Sequence, residues 1–124
     1  MDYLKILLVE DDPIDQLILR EMAEYAGFEV EVAENGRDGI AKLMAGNFDL
    51  VLMDLEMPVM NGYEATTYIR QQMDRKKDIP IIVITSKQGL GESTRCLLLG
   101  ANTFLTKPIT GEDLIKEIIT LVVI

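Results

Sequence analysis

The sequence predicts an α/β fold, a doubly wound (βα)5 unit on a central parallel sheet. Three observations lead there. Short apolar runs rich in Val, Ile and Leu recur along the chain: "LKILLV" (4–9), "LVLM" (50–53), "PIIVIT" (80–85) and "TFLT" (103–106), with a weaker alternating run "EVEVA" at 29–33. Runs of this length read as strands buried on both faces. Helical patterns fill the intervals between them. Strands alternating with helices imply a parallel sheet covered by helices on both sides, with right-handed crossovers.

The first helix, 14–26, carries Ile14, Leu17, Ile18, Met22 and Tyr25 as one apolar stripe at spacings of three and four. Asp12 suits its N-cap, Pro13 its first position and Gly27 its end. The second helix, 37–45, is closed by Gly46. The third, 63–73, starts after Asn61 and Gly62, which read as loop geometry. The fourth, 92–99, ends at Gly100. The fifth, 111–123, opens at Thr110 with Asp113 three residues on, a capping-box pattern. Its apolar stripe of Leu114, Ile118, Leu121 and Val122 is widened by Ile115, Ile119 and Val123. That width fits either a deeply packed helix or an interface with another copy or domain.

A chain of 124 residues is expected to form one domain, 1–124, and 48% hydrophobic residues argue for a packed core. The net charge of −9 repels phosphate backbones, so direct nucleic-acid binding is not expected. Cys96 stands alone and cannot form an internal disulfide, which makes the cytoplasm the default location. No apolar run approaches a membrane span, and "MDYLKILLVE" lacks the pattern of a signal peptide. The chain has no histidine, which excludes imidazole acid/base catalysis, His metal ligands and phosphohistidine on this chain.

In open parallel sheets, ligands bind beyond the carboxyl ends of the strands. Those ends hold Glu10 and Asp11 (strand 1), Asp54 (strand 3), Thr85 and Ser86 (strand 4) and Lys107 (strand 5). Two carboxylates about 4 Å apart repel by about 4 kcal/mol at an effective dielectric of 20. Three together need cations, and Lys107 supplies only one positive charge. Oxygen ligands without His or Cys suit Mg²⁺, Ca²⁺ or Mn²⁺. The pattern predicts a Mg²⁺ site completed by phosphate. Asp54 is then the candidate nucleophile, holding phosphate as an acyl phosphate, with Lys107 and the Thr85 hydroxyl on phosphoryl oxygens.

In these residues the chain resembles the receiver domain of two-component response regulators, over essentially its whole length. The resemblance rests on Glu10 and Asp11, on Asp54 followed by "MPVMNG", on Thr85, and on Lys107-Pro108. It implies a flavodoxin-like fold with strand order 2-1-3-4-5, and Asp54 as acceptor of a phosphoryl group from phosphohistidine on a histidine kinase or histidine phosphotransfer protein. It implies Mg²⁺ (or Mn²⁺) ligated directly by Asp11, with Glu10 acting mostly through water and the Asp54 side chain and the backbone carbonyl of Glu56 completing the protein ligands. Asp11 and Asp12 are an alternative acidic pair, less favoured because Asp12 is better placed as the helix cap. Thr85 and Phe104 match the switch positions, Glu56 and Lys87 the positions that tune phosphoryl lifetime. The Lys107-Pro108 bond is often cis in the family. The face formed by helix 4, strand 5 and helix 5 is the expected output surface and a possible homodimer interface.

Two other readings compete. A haloacid dehalogenase-type phosphatase also uses a nucleophilic Asp, a Thr or Ser, a Lys and Mg²⁺. Here, however, Glu56 stands where that family usually has Asp, and the metal acids precede the Lys. A flavin binder would need a phosphate-cradling loop where this chain has "EDDP".

Overall fold

The computed structural model describes residues 4–86 and 90–122. The elements alternate as expected: β1 (Lys5–Val9), α1 (Pro13–Tyr25), β2 (Glu29–Ala33), α2 (Gly36–Ala45), β3 (Leu50–Asp54), α3 (Gly62–Gln72), β4 (Ile81–Thr85), α4 (Leu90–Leu98), β5 (Thr103–Thr106) and α5 (Gly111–Val122). All described strand pairings are parallel, and the order is β2-β1-β3-β4-β5. The direction of winding reverses between β1 and β3, so the carboxyl ends of those two strands open onto a shared crevice.

Side chains alternate across each strand and divide the core in two. Leu7, Val9, Val51, Met53, Ile81 and Val83 meet Ile40 and Leu43 of α2, Ala65 and Ile69 of α3, and Cys96 of α4. Ile6, Leu8, Leu50, Leu52, Ile82 and Ile84 face the other way, onto Leu19 and Ala23 of α1 and Leu114 and Ile118 of α5. Both faces of the three inner strands are dry, which is why they read as unbroken apolar runs.

The α1 stripe departs from expectation. Leu19 and Ala23 are its buried residues, with Met22 partly buried beside them. Ile14, Leu17, Ile18 and Tyr25 are exposed, at 67%, 58%, 44% and 93%. The small Ala23 lets the helix approach the sheet closely, and the larger apolar residues are left on the side facing solvent. On α5 the expected stripe is buried at Leu114 and Ile118 and partly buried at Leu121 and Val122, whereas Ile119 is exposed; Val123 lies outside the described residues.

The helix starts are well capped. Asp12 Oδ1 accepts from Ile14 N–H at 2.9 Å, as predicted. Thr110 Oγ1 accepts from Asp113 N–H at 3.1 Å. A full capping box stands at α3, where sequence reasoning saw only a loop: Asn61 Oδ1 accepts from Glu64 N–H at 2.9 Å, and Glu64 Oε1 from Asn61 N–H at 3.1 Å.

Candidate functional site

At the carboxyl rim of the sheet, three strand ends bring acids or their counter-charge together. Glu10 follows β1 directly. Its N–H donates to Ala33 O at 3.0 Å and its carbonyl accepts from Gln16 Nε2 at 2.6 Å, so its backbone is tied to β2 and α1. Its side chain is buried. Asp11, next in the chain, is exposed. Asp54 is the last residue of β3 and only 6% exposed. Thr85 ends β4, buried, and its carbonyl accepts from Lys107 N–H at 2.7 Å. That bond sets the origin of the Lys107 side chain, and the Lys107-Pro108 peptide is cis.

The predicted residues converge. Glu10, Asp11 and Asp54 each offer a carboxylate oxygen, and these lie within 4.8 Å of one another. Lys107 Nζ donates to Glu10 Oε1 at 2.7 Å and lies 3.7 Å from Asp54 Oδ1. Three carboxylates with no nitrogen or sulfur donor form a set suited to a hard divalent cation. Asp12 does not join this group; it caps α1, which favours Glu10 and Asp11 as the acidic pair.

The crowding shows in the charges. Burial lifts the Asp54 carboxyl from its ordinary 3.8 to about 7, the negative charge of Glu10 adds to this, and Lys107 opposes it. Sequence reasoning stressed acid–acid repulsion, but desolvation is the larger cause. Burial alone lowers the affinity of Lys107 for its proton, yet hydrogen bonds to Asp15 and Glu10 outweigh that and raise its pKa above the usual lysine range.

Asp15 was missed. Lys107 Nζ donates to Asp15 Oδ2 at 2.8 Å, a contact as short as that to Glu10. No role was read for it from the sequence; an acid in the first turn of a helix is accounted for locally by the helix dipole and does not by itself point to a distant partner. Its placement on the helix leaving strand 1, with its Cβ tilted back toward the rim, was the available signal.

The other predicted residues are peripheral. Glu56 is exposed just beyond β3. Phe104 of β5 is partly buried and packs against the core cluster containing Met53 and Val83. Lys87 lies outside the described residues.

Comparison with known proteins agrees with this geometry. A family model described as the response regulator receiver domain matches residues 6–119. Protein PilH of Pseudomonas aeruginosa is 38% identical over 114 residues, covering 92% of this chain and 93% of that protein. By contrast, the chain spans only 6% and 3% of two hybrid signal transduction histidine kinases of Dictyostelium discoideum that it matches. The receiver domain of the sensor histidine kinase PA1611 of Pseudomonas aeruginosa, solved with magnesium coordinated in its active site cleft, superposes with a TM-score of 0.89. It is 31% identical, with 98% of each chain covered. A chain from the complex of the Saccharomyces cerevisiae phosphotransfer protein Ypd1 with the receiver domain of Ssk1 also superposes at 0.89. It is 28% identical, and the match covers 97% of this chain and 89% of that one. Acids at the β1 and β3 ends, a lysine bound across them from beyond β5, and a family match over nearly the whole chain leave no place for the phosphatase or flavin readings: the chain belongs to the response regulator receiver domains of two-component signalling.

Proposed function

We propose that Asp54 accepts a phosphoryl group from phosphohistidine on a histidine kinase or histidine phosphotransfer protein. The observation that carries this reading is the single Lys107 ammonium reaching both Glu10 and the vicinity of Asp54 from the far side of the sheet. An Asp54 oxygen attacks phosphorus in line, the P–N bond breaks, and its electron pair leaves with the imidazole. An acyl phosphate remains on Asp54. Lys107 neutralises one phosphoryl oxygen and the Thr85 hydroxyl hydrogen-bonds another. Glu10, Asp11, Asp54 and the Glu56 carbonyl would hold Mg²⁺ (or Mn²⁺), whose chemistry is to neutralise the charge on the phosphoryl oxygens and keep Asp54 ionised. No imidazole base is needed. The chain also takes phosphate from small donors and loses it slowly to water, with Glu56 and Lys87 tuning that loss.

Incubation with acetyl phosphate and Mg²⁺ adds one phosphate to the intact mass, and Asp54→Asn abolishes the gain. A wild-type chain that binds Mg²⁺ yet gains no mass overturns the reading.

The exposed α1 residues give the donor a place to dock. Ile18 and Leu19 line a cleft of about 320 Å³ together with Asp15, Lys107, Pro108 and Ile109, and Ile14 and Leu17 stand exposed on the same helix. Lys107, whose ammonium lies 3.7 Å from Asp54 Oδ1, is among the residues lining that cleft, so an apolar helix of the phosphohistidine protein seated there brings its imidazole toward the rim. Ile18→Ala slows transfer from a phosphohistidine protein about tenfold, the effect of about 1.4 kcal/mol of lost apolar burial. It leaves uptake from acetyl phosphate within twofold. Equal losses with both donors would refute the docking role.

Phosphorylation reaches the output face through Thr85 and Phe104: the threonine moves toward the phosphoryl oxygen and the ring follows it inward. Phe104 lacks the hydroxyl that would favour a solvated position, and its packing against the core supports an inward preference before phosphorylation. Leu97 and Leu98 of α4 and Ile119 of α5 are exposed, which supports pairing with a second copy through the α4-β5-α5 face. Residues 1–124 act as one receiver domain in the cytoplasm, where kinase partners hold their phosphohistidine. Among the described residues no helix is long and apolar enough to cross a membrane.

A further inference from the structure

We propose that Asp15 is a positioning residue for phosphoryl transfer, a second anchor that holds the Lys107 ammonium off the nucleophile. The inference rests on the reading of Asp54 as phosphoacceptor. An ammonium has three protons. One goes to Glu10 Oε1 at 2.7 Å and one to Asp15 Oδ2 at 2.8 Å, while Asp54 Oδ1, at 3.7 Å, is beyond hydrogen-bonding distance. The third proton is therefore left for an oxygen of the incoming phosphoryl group.

Each anchor is itself fixed. Glu10 is tied by its backbone to β2 and to Gln16. Asp15 sits in the first turn of α1, behind the Asp12 cap and Pro13. Lys107 starts from its bond to Thr85 O. Three elements thus triangulate one nitrogen. Among the described residues Asp15 is not part of the group able to share a metal ion, which comprises Glu10, Asp11 and Asp54. Its effect on the reaction passes through Lys107.

Without Asp15 the ammonium faces two acids, Glu10 and Asp54. The opposing pull is gone, and Nζ settles on the Asp54 oxygen that must attack. The nucleophile is then occupied by a hydrogen bond, and the proton meant for the phosphoryl group is diverted. A displacement of about 1 Å at this point is enough to slow an in-line transfer many-fold.

A general charge effect gives the opposite sign. Removing an anion from the mouth of a site that receives an anionic donor should speed phosphorylation and lower the half-saturating donor concentration. The test is the rate of acetyl phosphate uptake at saturating Mg²⁺, resolved into maximal rate and half-saturating concentration. Asp15→Ala and Asp15→Asn are compared in the wild-type and Lys107→Ala backgrounds. The expected result is a maximal rate lowered at least about fivefold by Asp15→Ala. Asp15→Asn, which keeps an acceptor oxygen but no charge, falls between Asp15→Ala and wild type. Neither change has an effect once Lys107 is alanine. A competent wild type whose Asp15→Ala variant is as fast or faster overturns this inference alone, as does an equal loss in the Lys107→Ala background. A wild type that takes up no phosphate overturns the acceptor reading and this inference with it.

Discussion

Gly62→Ala destabilises the domain by about 3 kcal/mol and slows phosphate uptake by more than about tenfold. A Cβ at position 62 would stand 2.1 Å from the Asp54 carbonyl oxygen and 2.8 Å from Leu55 Cα. For the carbonyl oxygen, ordinary contact begins more than an ångström farther out, and both obstacles are backbone atoms at the strand end that carries the acceptor. The helix cannot step aside freely. Gly62 N–H donates to Leu55 O at 3.0 Å, and the Asn61–Glu64 capping box locks the turn that follows. Relief must come from moving α3, from moving Asp54, or from both. Gly91→Ala is the matched control. Its Cβ would meet nothing within 4 Å and it is the second residue of α4, so the change should be neutral or add up to about 0.5 kcal/mol through helix propensity. Urea denaturation reads both. A Gly62→Ala midpoint equal to wild type would show that α3 can retreat from the site at no cost.

That glycine shows where sequence reasoning loses resolution. "NG" before a helix is a turn signal, and nothing in the local pattern says that β3 runs back beneath it. The close approach is a tertiary fact. The strands were legible because a parallel sheet covered on both faces confines polar residues on its inner strands to their ends (Lys5, Asp54, Thr85), and the predicted runs match the observed bounds within a residue. The rim residues were legible for a related reason: the rule that ligands gather at carboxyl ends turns strand boundaries into a site prediction. Glu10, Asp11, Asp54 and Lys107 meet as that rule requires.

The helices were less transparent. Ile14, Leu17, Ile18 and Tyr25 have the spacing of a buried stripe, yet Leu19 and Ala23 hold that place. Periodicity shows that a helix has an apolar face without saying which of two apolar faces meets the sheet. Asp15 was given no role from the sequence: an acid in a first helical turn is accounted for by the helix dipole, and only its place on the helix leaving β1 points toward the lysine 92 positions away. Both misses fall on α1, the helix that leaves the acidic rim. If those residues also serve a partner and the reaction, as proposed, packing logic alone is a poor guide to them.

The same site should cost the domain stability, in a way that pH exposes. In the folded chain the Asp54 carboxyl titrates at about 7, against 3.8 ordinarily, because it is buried beside Glu10. Below about pH 4 both folded and unfolded chains hold this proton, and Asp54 contributes nothing to pH dependence. Between about pH 4 and 7 the folded chain keeps a proton that the unfolded chain has released. Stability therefore falls as pH rises through this window and levels off above it. Without divalent cations, Asp54→Asn should remove the penalty and exceed wild type at pH 8 by about 2–4 kcal/mol, with the gap closing toward pH 4. Mg²⁺ should narrow the gap from the other side. It stabilises the folded wild type by about 2.7 kcal/mol at a hundred times its dissociation constant, and the variant less, since a ligand is gone. Denaturation midpoints in EDTA and in Mg²⁺, taken across that pH range, measure all of these differences. A gap independent of pH in EDTA would mean that Asp54 is ionised at no cost in the empty site. The acids would then be neutralised well enough by Lys107 alone, and the need for a metal, from which the phosphoryl chemistry was argued, would lose its physical basis.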